Sequence, residues 1–516
     1  MNIATLLVRG LRTAPDGPAL AQGPRVLATY EGLIDHVLGL AARLREEGVG
    51  PGDRVALFAG NQPGYIEAML ATWWCGAAVV PINAKLARPE LDVILADATP
   101  SLLFVGDDTA AIADGLTAQP IASCAVGALA GRAACTRNDT TDIAPASVTP
   151  DDLAWLFFTS GTTGKPKGAM ISHRNLFAAV QGYLTDVDDV PPGAAIIHFA
   201  PISHGAGLYG LAFLAQGAAQ VVGETPRMDM DELFATIGAW PQACLFAPPT
   251  IVQRMTAAAR AQGLHRDGSP LSNLRTIIYG GGPLYARDLA AAADTFGPRF
   301  AQIYGQGESP MTITAQSRRA FSTALAQGDA AYLATVGRPF LGIDVRIAQA
   351  DGAPAPVGTV GEVVVRGASV IQGYWRNPDA SAQTIRDGWL WTGDLGRMDA
   401  QGCLTLEGRS KEMIISGGSN VYPIEVEAAL LEHADVREAA VLGVHDEAWG
   451  ERVVAFIALH EGVEAAADTV PLLLDNHCRT RLARFKCPKE YHLRADLPKN
   501  AYGKIAKRQL AEALTR

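Results

Sequence analysis

The chain has 516 residues, of which 48% are hydrophobic and 19% charged, and its net charge at pH 7 is −10. This length predicts two or more domains with a sizeable core, and the acidic balance argues against a nucleic-acid partner or an anionic-lipid surface. The seven cysteines form no CxxC pair and no His/Cys metal spacing, which is typical of reduced thiols in a cytosolic protein. No secretory signal and no run of about 18–20 apolar residues is evident, so we expect a cytoplasmic protein without integral membrane association.

The first hundred residues alternate helical patterns with short apolar runs, for example at 54–59 and 77–83. Such alternation predicts an α/β layer arrangement with a mostly parallel sheet. A continuous apolar run at 153–158 predicts a buried strand. The loop TSGTTGKPKG follows at 159–168, and Ser172 beyond it has the character of a helix N-cap.

Three further apolar runs, at 243–248, 276–280 and 300–305, each end at glycine or proline and lead into polar or glycine-rich segments. Ligands of open α/β sheets bind at the carboxyl ends of the strands. We therefore expect these three strand ends to converge on one site.

From about residue 335 the pattern changes to short strands with tight turns, and DAQG at 399–402 predicts a hairpin turn. The last hundred residues predict a small α+β unit, with a helix from Pro423 to His433, strands near 438–444 and 452–459, and a helix reaching Arg484. Eleven Lys and Arg face three Asp and Glu from residue 479 onwards. This basic segment suits a polyanionic small molecule, although a solvated basic helix is the alternative.

The loop at 159–168 combines four hydroxyl side chains with three glycines and two lysines. Glycine lets backbone amides approach an anion, hydroxyls donate to phosphate oxygens, and lysine adds a compact positive charge. The spacing is not that of a Walker A motif. We interpret the loop as a phosphate-binding segment, and an ordinary surface turn is the alternative.

The segment Leu156–Leu176 resembles the signature of the adenylate-forming superfamily of acyl-CoA synthetases, adenylation domains and luciferases. Further motifs of this family follow in the expected order: APISHGAG (200–207), YGGGPL (279–284), YGQGES (304–309), WLWTGD (389–394), GRSKEMIISGGSNVYPIEVE (408–427) and LPKNAYGKI (497–505). The resemblance covers nearly the whole chain. It implies a large N-terminal domain (1–410) of packed α/β sheets with a β-rich subdomain, and a small mobile α+β C-terminal domain (411–516).

The resemblance also assigns the nucleotide-binding positions. Tyr304 offers a ring on which a base can stack, Glu308 is the expected Mg²⁺ ligand, and Asp394 can accept hydrogen bonds from both ribose hydroxyls, with Arg409 as its partner. A loop carboxylate or a structural ion pair is the alternative for these charged residues. The full expected set is Thr159, Ser160, Gly161, Thr162, Thr163, Gly164, Lys167, Gly280, Gly281, Gly282, Tyr304, Gly305, Gln306, Gly307, Glu308, Asp394 and Arg409.

Three residues carry the catalytic expectations. Lys504, in the C-terminal motif, matches the family lysine that stabilises the transition state of adenylation. Lys411 resembles the hinge about which the C-terminal domain turns between its two arrangements, and His204 resembles the residue that separates the acyl pocket from the thiol tunnel. For coenzyme A, the resemblance implies Gly417 and Gly418 along the tunnel, with Trp449 and Phe485 flanking the coenzyme.

Two positions depart from the family pattern. Gly307 stands where the family commonly has threonine, which removes one hydroxyl from the phosphate region. Cys487 stands where some relatives have arginine near the coenzyme, and Lys486 and Lys489 could supply the charge instead.

The resemblance therefore implies an ATP-dependent acid–CoA ligase that uses ATP, Mg²⁺ and coenzyme A. The alternatives are an adenylation enzyme that loads a carrier protein and an acyl-adenylate binding protein without turnover, while nothing indicates a luciferase-like oxygenase. The expected acyl-pocket segments, His204–Leu208, Phe246, Gly280–Gly282 and Gln306–Met311, contain no Lys or Arg. We therefore expect an apolar aliphatic or aromatic monocarboxylic acid; the oligomeric state stays open, with a homodimer as one option.

Overall fold

The computed structural model describes residues 1–116, 144–159, 166–225, 228–416, 419–446, 449–463, 469–500 and 504–514, together with the backbone of 122–125. These residues form two compact units. Unit 1 comprises 1–281, 292–345 and 365–390, and unit 2 comprises 282–291, 346–364 and 391–516. The domain boundary predicted after residue 410 stays a prediction.

The helices, numbered in chain order, are α1 (Thr5–Thr13), α2 (Tyr30–Glu46), α3 (Pro63–Trp74), α4 (Arg88–Ala98), α5 (Ala110–Ala113), α6 (His173–Gly182), α7 (Gly205–Ala215), α8 (Met230–Ala239), α9 (Pro249–Ala261), α10 (Ala286–Phe296), α11 (Arg318–Gln327), α12 (Ala330–Leu333), α13 (Pro378–Thr384), α14 (Pro423–Leu431), α15 (Val470–Arg479) and α16 (Lys507–Leu514). Ser172 caps α6 as predicted, because its hydroxyl accepts a hydrogen bond from the amide of Asn175.

The strands are β1 (Pro18–Gln22), β2 (Arg25–Thr29), β3 (Arg54–Phe58), β4 (Ala78–Ile82), β5 (Leu102–Val105), β6 (Ala122–Ala125), β7 (Leu153–Thr159), β8 (Lys167–Ser172), β9 (Ala195–His198), β10 (Ala219–Val222), β11 (Ala243–Phe246), β12 (Leu274–Gly280), β13 (Phe300–Gln306), β14 (Ser309–Gln316), β15 (Arg338–Pro339), β16 (Ile343–Ala348), β17 (Gly361–Gly367), β18 (Ile385–Arg386), β19 (Trp389–Met398), β20 (Leu404–Arg409), β21 (Ile414–Ser416), β22 (Ser419–Val421), β23 (Val436–Asp446), β24 (Gly450–Leu459) and β25 (Glu490–Arg494). Together with the helices they confirm the predicted α/β class.

Two large sheets dominate unit 1. One has nine strands in the order β15-β14-β13-β12-β11-β9-β10-β1-β2, and the other has six in the order β6-β5-β3-β4-β7-β8. The inner pairs of the first sheet are parallel, including β11 with β12 and β12 with β13. The three strands singled out in the sequence are therefore neighbours, and their carboxyl ends lie on the same side of the sheet, as expected.

A core of large aromatic residues supports the six-stranded sheet. Trp73, Trp74 and Trp155 are each at most 1% exposed, and the rings of Trp73 and Trp155 lie 5.7 Å apart. Nearly every residue of α3 is buried, which is the pattern of a helix enclosed by protein on all sides.

The predicted β-rich segment forms a five-stranded sheet in the order β16-β17-β19-β18, with β20 beside β19. DAQG forms the predicted hairpin turn between β19 and β20, because the Asp399 amide donates to the Cys403 carbonyl and the Gly402 amide to the Asp399 carbonyl. One carboxylate oxygen of Asp399 also accepts from the amides of Gln401 and Cys403.

The C-terminal part of unit 2 is an α+β body in which β22-β21-β24-β23 form a sheet and β25 pairs with β24. Two of its helices were predicted: α14 ends at Leu431 instead of His433, and α15 ends at Arg479 instead of Arg484, whereas α16 lies in the tail, where no helix was placed. Beyond Arg479 the Arg481 and Leu482 amides both bond to the Cys478 carbonyl, and the chain turns back to supply β25 to the sheet. Five cysteines (75, 244, 403, 478 and 487) are buried and unpaired in the described part of the chain.

Candidate active site

The predicted phosphate loop connects two antiparallel strands. Thr159 at the end of β7 pairs with Lys167 at the start of β8, so both ends of the loop are held in the six-stranded sheet. Ser160, Gly161, Thr162, Thr163 and Gly164 lie outside the described residues. The anchors of the loop are thus fixed by sheet hydrogen bonds.

A second hairpin carries the YGQGES motif. Strands β13 and β14 are antiparallel, with Gln306 opposite Ser309 and Pro310, so Gly307 and Glu308 form the tip. Gly305 is required by close approach, because a β-carbon there would lie 2.6 Å from the amide nitrogen of Met311.

The tip of this hairpin contacts the end of β7. A β-carbon on Gly307 would lie 2.5 Å from Cγ2 of Thr159 and 3.0 Å from the ring of Phe157. At position 307, where the family commonly has threonine, Thr159 and Phe157 already fill the space that a side chain would need. The hydroxyl lost at position 307 has no room here unless Thr159 or Phe157 moves.

Tyr374 links Glu308 to Lys167. Its hydroxyl donates to Oε1 of Glu308 at 2.7 Å, and the Lys167 ammonium lies 5.2 Å from the centre of its ring, within cation–π range. The Glu308 carbonyl also accepts from the amide of Ile371. The predicted metal ligand and the predicted phosphate lysine are therefore held by one aromatic side chain.

The donor chemistry at Glu308 suits Mg²⁺. The described residues contain no group of three or more His, Cys, Asp or Glu side chains arranged to hold a metal ion. Mg²⁺ is commonly bound through one or two carboxylates together with waters and substrate phosphates. A single oriented carboxylate therefore fits an ion that arrives with ATP.

The expected adenine-binding residues lie towards the carboxyl ends of two neighbouring inner strands of the nine-stranded sheet. Tyr304 belongs to β13 and is 7% exposed, and Gly280 ends β12. A β-carbon on Gly280 would lie 2.4 Å from the Ile303 carbonyl oxygen, whereas Gly281 has a φ of +80° and open space around it. Gly280 thus allows close strand packing and Gly281 allows the turn, while Gly282 begins the segment assigned to unit 2.

His204 stands immediately before α7, on the connection that leaves β9. Its Nδ1 is 3.0 Å from the Ser203 hydroxyl, and its ring meets the Phe157 ring edge-on with centroids 5.3 Å apart. Since Phe157 also contacts the Gly307 position, these contacts bring the APISHGAG, YGQGES and phosphate-loop segments together.

In unit 2, Asp394 and Arg409 face each other across the β19–β20 hairpin. Nε of Arg409 is 2.6 Å from Oδ1 of Asp394, whose side chain is largely buried while that of Arg409 is half-exposed. The Asp394 amide donates to the Thr392 hydroxyl. The ion pair that the sequence offered as the alternative is present, with the guanidinium toward solvent, and the ribose-binding role of the pair stays a prediction.

The backbone of Lys504 is hydrogen-bonded to Asn500. The Asn500 amide donates to the Lys504 carbonyl at 2.8 Å, and the Lys504 amide donates to Oδ1 of Asn500 at 3.0 Å. Removal from water lowers the pKa of the Lys504 ammonium, and the Arg409 guanidinium lowers it further, while Asp394 and Glu412 raise it. The residue nevertheless keeps exposed surface.

Lys411 lies in a single 3₁₀ turn, Ser410–Glu412. Nearby, the Lys507 ammonium pairs with Glu412 and Glu427, both at 2.9 Å. Glu427 also accepts hydrogen bonds from the Tyr285 hydroxyl and the Val441 amide. Burial lowers the pKa of Lys507, but the two carboxylates outweigh it and raise the pKa. The Lys507 ammonium is therefore engaged in ion pairs within unit 2.

The expected coenzyme residues are separate from that network. Trp449 is 44% exposed and has the Lys489 ammonium 5.3 Å from its ring centre, whereas Phe485 packs against the core of unit 2. Lys486 is bound by both oxygens of Glu425. Gly417 and Gly418 lie outside the described residues.

Cys487 does not take over the role of an arginine. It is 1% exposed and belongs to the apolar core of unit 2, and burial raises the pKa of its thiol. Of the two lysines proposed as substitutes, Lys486 is paired with Glu425, while Lys489 has no ion pair within the part of the chain that the structure describes.

Sequence reasoning missed Tyr374 and Phe157. Tyr374 lies 66 residues from Glu308 along the chain, in a segment without a recognised motif, and only the aromatic pair Tyr374–Trp375 before Asn377 and Pro378 could have drawn attention to it. Phe157 was assigned only to a buried strand, yet it is partly exposed, and no sequence signal indicates this.

Two family models match most of the chain. The AMP-binding enzyme family matches residues 8–375, and the AMP-binding enzyme C-terminal domain matches residues 425–504. The chain belongs to the AMP-binding enzyme family. The predicted superfamily and its acyl-CoA synthetase branch are therefore confirmed.

Similar members of the AMP-binding family align over almost the whole chain. A feruloyl-CoA synthase from Amycolatopsis sp is 36% identical over 97% of this chain and 96% of its own length. An indoleacetate–CoA ligase from Aromatoleum aromaticum is 34% identical over 95% and 93%. The solved structure of an amide bond synthetase from Marinactinospora thermotolerans superimposes with a TM-score of 0.85 at 28% identity, covering 99% of both chains.

Proposed function

We propose that this enzyme ligates an apolar aromatic or aliphatic monocarboxylic acid to coenzyme A through an acyl-adenylate. Joining an acid to coenzyme A is the activity named for several relatives, including feruloyl-CoA synthase and indoleacetate–CoA ligase. These two names favour an aromatic acid. The expected pocket segments contain no Lys or Arg that could pair with a second carboxylate, which supports a monocarboxylic acid.

In the first step, a carboxylate oxygen of the acid attacks the α-phosphorus of ATP, and pyrophosphate leaves. Lys504 carries this proposal: its ammonium interacts electrostatically with Asp394 and Arg409 within unit 2, the pair proposed to bind the ribose. A positive charge there would stabilise the negative charge that develops at phosphorus. Mg²⁺, when bound through Glu308, supplies further charge to the phosphate oxygens.

In the second step, the thiol sulfur of coenzyme A attacks the acyl carbon, and AMP leaves. We propose that His204 lines the meeting point of acyl group and thiol, that Lys411 is the hinge, and that Trp449 with Lys489 contacts the coenzyme. An ammonium on an exposed tryptophan, without an ion pair to any described residue, suits an adenine ring with a nearby phosphate.

A cytoplasmic location is part of the proposal, and the buried, unpaired thiols support it. No helix within the described ranges is long and apolar enough to cross a membrane. A homodimer remains one option to be tested by light scattering.

The deciding experiment mixes the enzyme with ATP, Mg²⁺ and a panel of cinnamic-type acids, arylacetic acids, medium-chain fatty acids and dicarboxylates. Pyrophosphate release reports adenylation, and three acceptors are compared: coenzyme A, a phosphopantetheine-bearing carrier protein and a primary amine. We expect release with an apolar monocarboxylate and thioester only with coenzyme A. Release without CoA thioester would overturn the acceptor, and no release with any acid would overturn the enzyme assignment.

A further inference from the structure

Three hydrogen bonds from the side chain of Asn61 hold the connection between β9 and α7. Asn61 follows a strand of the six-stranded sheet, whereas β9 belongs to the nine-stranded sheet. Asn61 lies on the short link between β3 and α3. Its Nδ2 donates to the carbonyls of His198 at 2.9 Å and Ala200 at 2.8 Å. Its Oδ1 accepts from the amide of Ile202 at 2.8 Å.

These three bonds use every hydrogen-bonding group of the amide except one lone pair of its oxygen. They satisfy alternate backbone groups of residues 198–202, so Asn61 acts on this segment as a neighbouring strand would. A carboxylate could accept from Ile202 but could not donate to two carbonyls, and an apolar side chain could do neither. Asparagine is therefore chemically specified at this position.

His204 lies two residues beyond the segment 198–202 that Asn61 holds. The His204 amide donates to the Pro201 carbonyl and the His204 carbonyl accepts from the Gly207 amide, so the backbone that carries the imidazole is hydrogen-bonded to the segment held by Asn61. The ring then meets Phe157 edge-on, where a displacement of about 1 Å would change the contact.

We infer that Asn61 is a positioning residue that sets the location of His204 for acyl transfer. The inference rests on the proposed role of His204, and it adds a residue outside every motif recognised in the sequence. Asn61 touches no reacting group; it acts through the backbone of residues 198–202.

A double-mutant cycle tests this coupling. Asn61→Asp, His204→Ala and the combined variant are compared for the KM of the acid and for the single-turnover rate of thioester formation. We expect Asn61→Asp to impair the same step as His204→Ala, by about 10- to 100-fold, and the combined variant to be no worse than the poorer single variant. Asn61→Ala serves as the second variant if the aspartate protein does not fold.

Asn2 supplies a matched control. Its Nδ2 donates to the carbonyls of Trp73 and Ala146, and its Oδ1 accepts from Ala4, so it makes the same three kinds of bond away from His204. We expect Asn2→Asp to lower the thermal midpoint and to combine multiplicatively with His204→Ala.

Multiplicative effects of Asn61→Asp and His204→Ala would overturn the inference while leaving the role of His204 intact. A loss confined to thermal stability in both Asn61 variants would also overturn it. Normal kinetics of His204→Ala in both half-reactions would refute the proposed role of His204 and, with it, the inference.

Discussion

Gly307 and Thr159 are in contact across two hairpins, and this contact explains a departure from the family sequence. The β-carbon that any other residue would bring to position 307 overlaps Cγ2 of Thr159, with Phe157 next to it. A real β-carbon essentially never approaches another heavy atom so closely, since interiors are close-packed. Glycine at 307 and threonine at 159 are thus complementary.

Gly307→Thr is therefore expected to lower adenylation and stability instead of restoring a useful hydroxyl. The cost of overpacking is about 1–3 kcal/mol. Thr159→Ser removes the methyl group and should partly rescue Gly307→Thr, whereas Thr159→Ser alone should change little. Pyrophosphate release and thermal midpoints of the four proteins measure this, and a Gly307→Thr enzyme as active and stable as the parent would contradict the steric explanation.

Tyr374→Phe is expected to weaken Mg²⁺ dependence selectively. It removes the hydrogen bond to Glu308 but keeps the ring under Lys167. Loss of an outer-shell partner typically costs about 10- to 100-fold in metal affinity or activity, so half-maximal adenylation should need more Mg²⁺. Glu308→Gln provides the upper limit of the effect. An unchanged Mg²⁺ titration for Tyr374→Phe would show that the Tyr374 bond does not orient the carboxylate.

Lys504→Ala is expected to reduce adenylation by at least ~10²–10³-fold, as for loss of one preorganised electrostatic donor. The same variant should still form thioester from synthetic acyl-AMP and coenzyme A. Arg508→Ala is the control, because Arg508 is exposed and pairs only with Glu512 one turn away in the described chain. Equal failure of both half-reactions would contradict a role confined to adenylation.

Lys411→Pro is expected to injure thioester formation more than adenylation. Proline fixes φ near −65°, and a hinge must change φ or ψ between its two arrangements. Lys411→Ala keeps the backbone free and should leave the ratio of the two rates unchanged. The ratio of single-turnover rates for the two steps is the measurement, and equal losses for Lys411→Pro would argue against a hinge.

The stability of unit 1 should fall as the pH drops from 6.5 towards 4. Burial lowers the pKa of His198 to about 4, below the ordinary 6.5, so the unfolded chain binds a proton more readily than the folded chain. The stabilisation is complete above pH 6.5 and is lost on acidification, by about 2 kcal/mol at pH 5 for this one group.

His198→Gln removes this titration, so its thermal midpoint should fall less between pH 7.5 and pH 5. His265→Gln is the matched control, since the His265 side chain is 76% exposed, and it should keep the full pH dependence. The same loss in all three proteins would show that His198 does not contribute.

The strands and the convergence of their ends were predictable because both depend on local patterns. The runs at 276–280 and 300–305 became β12 and β13, and the turn residues placed their ends on the same side of the sheet. The hydrogen bond from Tyr374 to Glu308 was not predictable, because it joins residues remote in sequence. The end of α15 at Arg479 was missed because the pairing of β25 with β24, and not helix propensity, decides where the chain turns.

Among the site residues, those in sequence motifs could be predicted and those held by contacts remote in sequence could not. The pair Asp394–Arg409 could be predicted from two motifs, and the hairpin register places them opposite each other. The burial of Cys487 could not, since a small sulfur-bearing residue after a lysine gives no sign of which way it faces. Asn61 was missed because its hydrogen bonds go to backbone groups more than 130 residues away.

The β19–β20 hairpin places Asp394 and Arg409 at its base and the Asp399–Gly402 turn at its far end. Extra residues at the far end would lengthen the loop without shifting the alignment of the two arms, whereas a single deletion within either arm would turn one partner to the opposite face of the sheet. The turn is therefore a permissive position for inserting a peptide tag or a reporter, and natural variation in chain length should be concentrated there.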